Sequence, residues 1–242
     1  MNKRTTVKHW LLGALLMILG SGMNACAMGD KTSWKEEVLL HDGKKIIVER
    51  SQTYGGRHEI GQRPPIKEQR LTFTLPGSNR SITWQSEYSE DIGRANLNPL
   101  ALHILNGTPY IVLEPNLCLA YNKWGRPNPP YVIFKYDGKT WKRIPLSELP
   151  VEFKNINVVI NTLEHAGEIS RKDMASVADV VAFNSSLLRY PNEHAAYKTI
   201  VREPLKWGST GIGCPDYSSP RYMSPKAPHP IVPSPKDSGS DK

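Results

Sequence analysis

Three cysteines in 242 residues, none of them in a C-x-x-C pair, leave no zinc ribbon and no dithiol redox motif. There is no H-E-x-x-H, because His58-Glu59 continues into Ile60-Gly61-Gln62, so a zincin-type metal helix is excluded. The absence of G-x-S-x-G and S-x-x-K removes the nucleophile-elbow hydrolases and the serine–lysine acyl enzymes. Gly138-Lys139-Thr140 ends like a phosphate loop but lacks the upstream glycine, and Gly208 to Gly213 is only a small-residue approach to Cys214. No apolar run reaches the roughly 20 residues that a membrane helix needs. No cofactor and no metal is expected.

The longest apolar run, Trp10 to Leu19, instead fits an export signal. Lys3, Arg4 and Lys8 precede it, and Gly20 to Gly22 and Ala25-Cys26-Ala27 follow. Basic, apolar and then small is the order of a secretory leader, here residues 1–27. Met23-Asn24-Ala25-Cys26 has the form of a lipobox, with Asn24 its unusual member, while Ala25-x-Ala27 is a standard small-residue cleavage site. The lipobox reading makes Cys26 the lipidation site and ties the protein to the membrane through stable multi-chain anchoring. Ala27 after the cysteine then points to an outer-membrane lipoprotein facing the periplasm; the alternative is a soluble periplasmic or secreted protein.

Either route leaves Cys118 and Cys214, an even number in an oxidising compartment, and a disulfide between them is expected. Net charge is +8, and losing Lys3, Arg4 and Lys8 with the leader leaves +5. That excess suits anionic lipid heads or acidic polymers, and export argues against nucleic acid.

Four hairpins are legible. Asp42-Gly43, Pro76-Gly77-Ser78-Asn79, Asn106-Gly107 and Asp137-Gly138 each lie between two strand-like runs. Asn-Gly and Asp-Gly accept positive φ at both turn centres, which matches the twist of paired strands. Leu71, Phe73 and Leu75, then Ile82 and Trp84, alternate with polar residues, as in a sheet with one wet face. Further strands are expected at Leu117 to Tyr121, Ile156 to Ile160 and Tyr197 to Arg202. The pattern predicts a mainly β fold over 31–214: an antiparallel β-sandwich or barrel built from hairpins with one packed helix, the alternative being a propeller-like stack. The helix is placed near 171–188, capped by Ser170 and Asp173, with Met174, Val177, Ala178 and Val181 as its apolar stripe. Residues 215–242 are rich in proline, serine and lysine and are expected to stay extended and disordered.

Glu164, His165, Glu168 and Asp173 gather acids and an imidazole in sequence, as polar loops often do without any chemistry. Two loops carry better binding chemistry. Gly55 to Gln69 holds Arg57 and His58, and Tyr121 to Tyr131 sets Tyr121, Trp124, Arg126 and Tyr131 in a proline-stiffened segment. Aromatic and arginine side chains give large contact area at low entropic cost.

WKEEVLLHDGKKIIVER, GGRHEIGQRPPIKEQ, LTFTLPG and YNKWGRPNPPYVIFKYDGKTWKRIPL resemble a family of uncharacterised lipoproteins of proteobacteria. The likeness spans roughly Ser33 to Pro150. It implies an envelope lipoprotein and brings no mechanism. The expectation is therefore an exported, lipid-anchored module that binds an envelope protein or polymer without catalysis. The rival is an envelope hydrolase with an unfamiliar site, for which His58 or His165 would be the first suspects.

Overall fold

In the computed structural model, two antiparallel four-stranded sheets stack face to face, and a two-stranded ribbon closes one end. The residues described are 31–160, 166–186, 199–206 and 214. Cys26, His165 and residues 215–242 lie outside them.

The first sheet, in order β1-β2-β3-β4, is formed by Lys31–Leu39, Lys45–Tyr54, Ile66–Thr74 and Ser81–Gln85. The ribbon pairs β5 (Tyr88–Ser89) with β6 (Arg94–Ala95). The second sheet runs β10-β9-β8-β7, from Leu97–Leu105 (β7), Thr108–Pro115 (β8), Val132–Tyr136 (β9) and Trp141–Ile144 (β10). All four expected hairpins form. At Asn106-Gly107 both φ values are positive, 50° and 73°, the geometry a two-residue turn between twisted strands demands.

Alternation in β3 and β4 works as the sequence implied. Leu71, Phe73, Ile82 and Trp84 point inward with Val38 and Val48, and meet Leu102, Ile104, Ile111 and Leu113 of the second sheet. The second sheet differs, because its other face is also covered. Leu100, Tyr110, Val112 and Ile133 pack against Leu149, Phe153, Ile160 and Ile200. A strand buried on both faces reads as a continuous apolar run, as LALHIL and YIVL do.

The sandwich is not a closed barrel; side chains bridge its two sides where no strand ladder does. On one side the indole nitrogen of Trp141 donates to the Thr83 carbonyl at 2.8 Å. On the other, Asn157 accepts from Leu102 N–H at 2.8 Å and donates to the Leu102 and Leu39 carbonyls at 2.8 and 2.9 Å, linking β7 to the end of β1. Asn157 thereby replaces a strand. The expected strand from Ile156 to Ile160 is absent; the segment is buried coil beside a lone bridge between Asn155 and Thr199.

Two other expectations are corrected. Leu117–Lys123 is a helix, α1, rather than a strand. A short apolar run does not reveal its period, and here Ala120 and Tyr121 turn inward while Leu117 and Leu119 remain exposed. After the four-residue helix α2 (Ala166–Ile169), the packed helix α3 spans Val177–Ser186. Its capping box is Ser176 with Asp179, since the Ser176 amide donates to Asp179 at 2.8 Å and the Asp179 amide to the Ser176 hydroxyl at 3.2 Å. Ser170 and Asp173 come six residues too early because residues 173–177 run beside β1, the Ala175 amide donating to the Lys35 carbonyl at 2.8 Å. The stripe shifts in the same way. Val180, Phe183 and Asn184 are buried, whereas Met174 and Val181 face outward.

Candidate binding surfaces

Strand directions divide the sandwich into two ends. The four hairpin turns within the two large sheets lie at one end. Lys31, the 55–65 loop, the β5–β6 ribbon, α1 and the start of β9 lie at the other.

At this loop-rich end β2 and β3 are joined by residues 55–65, so the loop is shorter than the sequence suggested and Gln69 is buried within β3. Gly56 touches the ribbon so closely that a Cβ there would sit 2.3 Å from the Gly93 carbonyl oxygen. That contact, at φ 91°, requires glycine. Arg57 is exposed, and its guanidinium donates to the Glu90 carbonyl at 3.0 Å. His58 is exposed too, with Nδ1 2.9 Å from the Gly56 carbonyl. From the other side Lys123 reaches Asp91 at 3.4 Å. The two candidate loops thus converge on one ribbon.

The aromatic loop itself is largely turned inward. Tyr121 is 3% and Tyr131 5% exposed, which corrects the expectation that they form an outer recognition surface. The Tyr131 hydroxyl accepts from the Val201 amide at 3.2 Å and donates to the Thr199 carbonyl at 3.4 Å; burial pushes its pKa up to about 12, the Val201 bond opposing and Glu114 adding to the rise. Arg126 adopts φ 54°, lies 5.2 Å over the Tyr121 ring, and donates to the Cys214 carbonyl at 3.0 Å. Cys214 is bonded to Cys118, with Cα atoms 5.2 Å apart, as expected. Half-buried Trp124 packs on the sandwich core, edge-on to Phe134 at 6.1 Å and under the Arg143 guanidinium at 5.3 Å. Its indole nitrogen is buried with no hydrogen-bond partner among the described residues. Beyond this loop lies a shallow groove of about 460 Å³, walled by Pro127, Pro129, Ile144, Pro145 and Leu146.

The hairpin end carries chemistry that a reading by motif passes over. The β9–β10 connection is the four residues Asp137 to Thr140, two longer than a turn centred on Asp137-Gly138, so Tyr136 pairs with Trp141 and Lys135 with Lys142. Both lysines are exposed, and Lys139 projects from the turn between them. The Tyr136 and Trp141 rings lie 5.3 Å apart, and Arg80 from the β3–β4 turn sits 5.3 Å over Tyr136. A cleft of about 360 Å³ runs between the turns, bordered by Arg80, Thr108, Lys135 and Tyr136.

Two buried polar clusters complete the inventory. His103 stacks on Phe153 at 4.7 Å, with His41 edge-on to the same ring at 5.0 Å. Burial lowers the His103 pKa to about 4, its bond to the Asn155 carbonyl opposing and His41 assisting. Glu36 pairs with Arg50 at 2.9 Å and accepts from the Trp34 indole at 2.8 Å, beneath α3. Among the described residues no three His, Cys, Asp or Glu side chains gather as a metal site, and no helix is long and apolar enough to cross a membrane. No family model, curated protein or solved structure matches the chain.

Proposed function

We propose that this chain is an exported, lipid-anchored protein of the cell envelope that acts as a non-catalytic binding module. The observation that carries the reading is the division of the sandwich into two chemically different ends. β1 begins at Lys31, five residues after Cys26, a tether that spans at most about 17 Å. A lipid anchor at Cys26 therefore holds the loop-rich end at the membrane. The nine residues of β1 carry the hairpin end about 30 Å farther out, towards partners in the periplasm. Rigid strands and short turns present that end with little loss of conformational entropy on binding. The partner is an envelope protein or polymer.

Metabolic labelling with a fatty-acid probe, followed by fractionation, tests the anchor. Wild type is expected to be labelled and recovered with the outer membrane, and Cys26→Ser to lose the label. An unlabelled wild-type chain overturns the anchor. Turnover of a lipid, glycan or peptide substrate that His58→Ala abolishes overturns the non-catalytic reading.

A further inference from the structure

We propose that the hairpin end is a docking surface for an acidic polysaccharide, gripped by Lys135, Lys139, Lys142 and Arg80. The inference names the partner class of the binding module proposed above and rests on that reading.

Its basis is a concentration of exposed cations at the tip of one hairpin. Lys135 and Lys142 are direct cross-strand partners, and like charges placed opposite each other destabilise the pairing. Lys142 lies on β10, an edge strand of the second sheet, where lysine also guards against edge-to-edge pairing. Lys135, on the doubly paired β9, lies 5.7 Å over the ring of its other cross-strand neighbour, Tyr110, which offsets part of that repulsion. The one acid in this hairpin is committed to the turn. Asp137 accepts from the Lys139 and Thr140 amides at 2.8 and 2.7 Å, and these bonds, Thr140 first, lower its pKa.

Arg80 is held ready. It donates to the Tyr136 hydroxyl at 3.1 Å and to the Gly138 carbonyl, so little side-chain freedom remains to be lost on binding. The adjoining cleft, about 360 Å³, mixes cations with the Thr108 hydroxyl and the Tyr136 ring. Its size is at the low end for small-molecule sites. It takes a sugar unit or two of a threading chain, not the side of a folded protein. Cations for carboxylate or phosphate, a hydroxyl for hydrogen bonding and an aromatic edge for a sugar face together fit an anionic glycan.

The test uses the full chain, with polygalacturonate as the carboxylate probe, a glycerol-phosphate polymer as the phosphate probe, and dextran as the neutral control. Wild type is expected to retain at least one anionic polymer and not dextran, with affinity falling steeply as salt is raised. The triple variant K135Q/K139Q/K142Q should bind about tenfold more weakly. Its thermal midpoint should stay close to that of wild type, since the repulsion between Lys135 and Lys142 and the contact of Lys135 with the Tyr110 ring are lost together. A second triple variant, K31Q/K35Q/K67Q, removes the same charge from the first sheet, away from the hairpin end, and should bind like wild type. Equal loss in both triple variants would mean a generic charge effect and would overturn the site. So would retention of neither anionic polymer, or capture of an acidic protein by the same lysines with no glycan bound; that last outcome sinks this inference and leaves the binding-module reading standing.

Discussion

The carboxylate of Glu36 meets the guanidinium of Arg50 at 2.9 Å with both side chains sealed from water. The pair joins neighbouring strands on the inner face of the first sheet, where its neighbours Val38, Val48 and Leu71 are all apolar. Trp34 donates to the second carboxylate oxygen and lies 5.0 Å from the guanidinium carbon. The Val159 amide and carbonyl reach the same two groups at 3.4 Å, so the cluster also fixes the coil that leads towards α3.

Breaking that pair from one side leaves a buried charge without compensation. Arg50→Met is expected to destabilise the fold by about 3–5 kcal/mol, and Glu36→Gln by a similar amount. The double replacement by apolar residues of matching volume should recover most of the loss. Urea denaturation of the two single variants and the double variant measures this, and strict additivity would refute the coupling.

His103 makes stability depend on pH. Its folded pKa, about 4, lies below the ordinary value of 6.5, so the unfolded chain binds the extra proton first as pH falls. The contribution of the neutral imidazole is complete above about pH 6.5 and is lost progressively down to pH 4. The shift corresponds to about 3 kcal/mol over that window. His103→Gln should flatten the pH dependence of the thermal midpoint between those values. An unchanged slope would assign the acid sensitivity to other groups.

Trp124 and Arg126, both half-buried, also make contacts that hold the scaffold together. Trp124→Ala empties part of the contact with Phe134 and should destabilise by about 2 kcal/mol, less than a fully buried aromatic would lose. Arg126→Ala releases the Cys214 carbonyl beside the disulfide. The Cys118–Cys214 bond closes a loop of 96 residues, and opening it should remove roughly 4–5 kcal/mol by the chain-entropy model. Differential scanning fluorimetry with and without reductant reads all three. A midpoint indifferent to Trp124→Ala would return that side chain to the surface.

The four hairpins were legible because a Gly-containing turn between alternating strands is a local instruction, complete within about ten residues. The register that sets Lys135 against Lys142 was not legible in that way, because the connection is the four residues Asp137 to Thr140, two longer than an Asp137-Gly138 turn implies. Neither α1 nor the phase of α3 could be read locally. LCLAY serves a strand or a helix equally, and the start of α3 depends on residues 173–177 first docking along β1, more than a hundred residues away.

By itself, then, the amino-acid order determined the mainly β class, the turn positions, the alternation of the first sheet and the pairing of Cys118 with Cys214. These rest on periodicity, turn chemistry and the even number of cysteines. Tertiary structure alone decided that Tyr121 and Tyr131 face inward, that His41 and His103 share Phe153, and that Asn157 takes the place of a strand. Each depends on segments distant in sequence packing together, and side-chain burial is a property of that packing, which no residue carries alone.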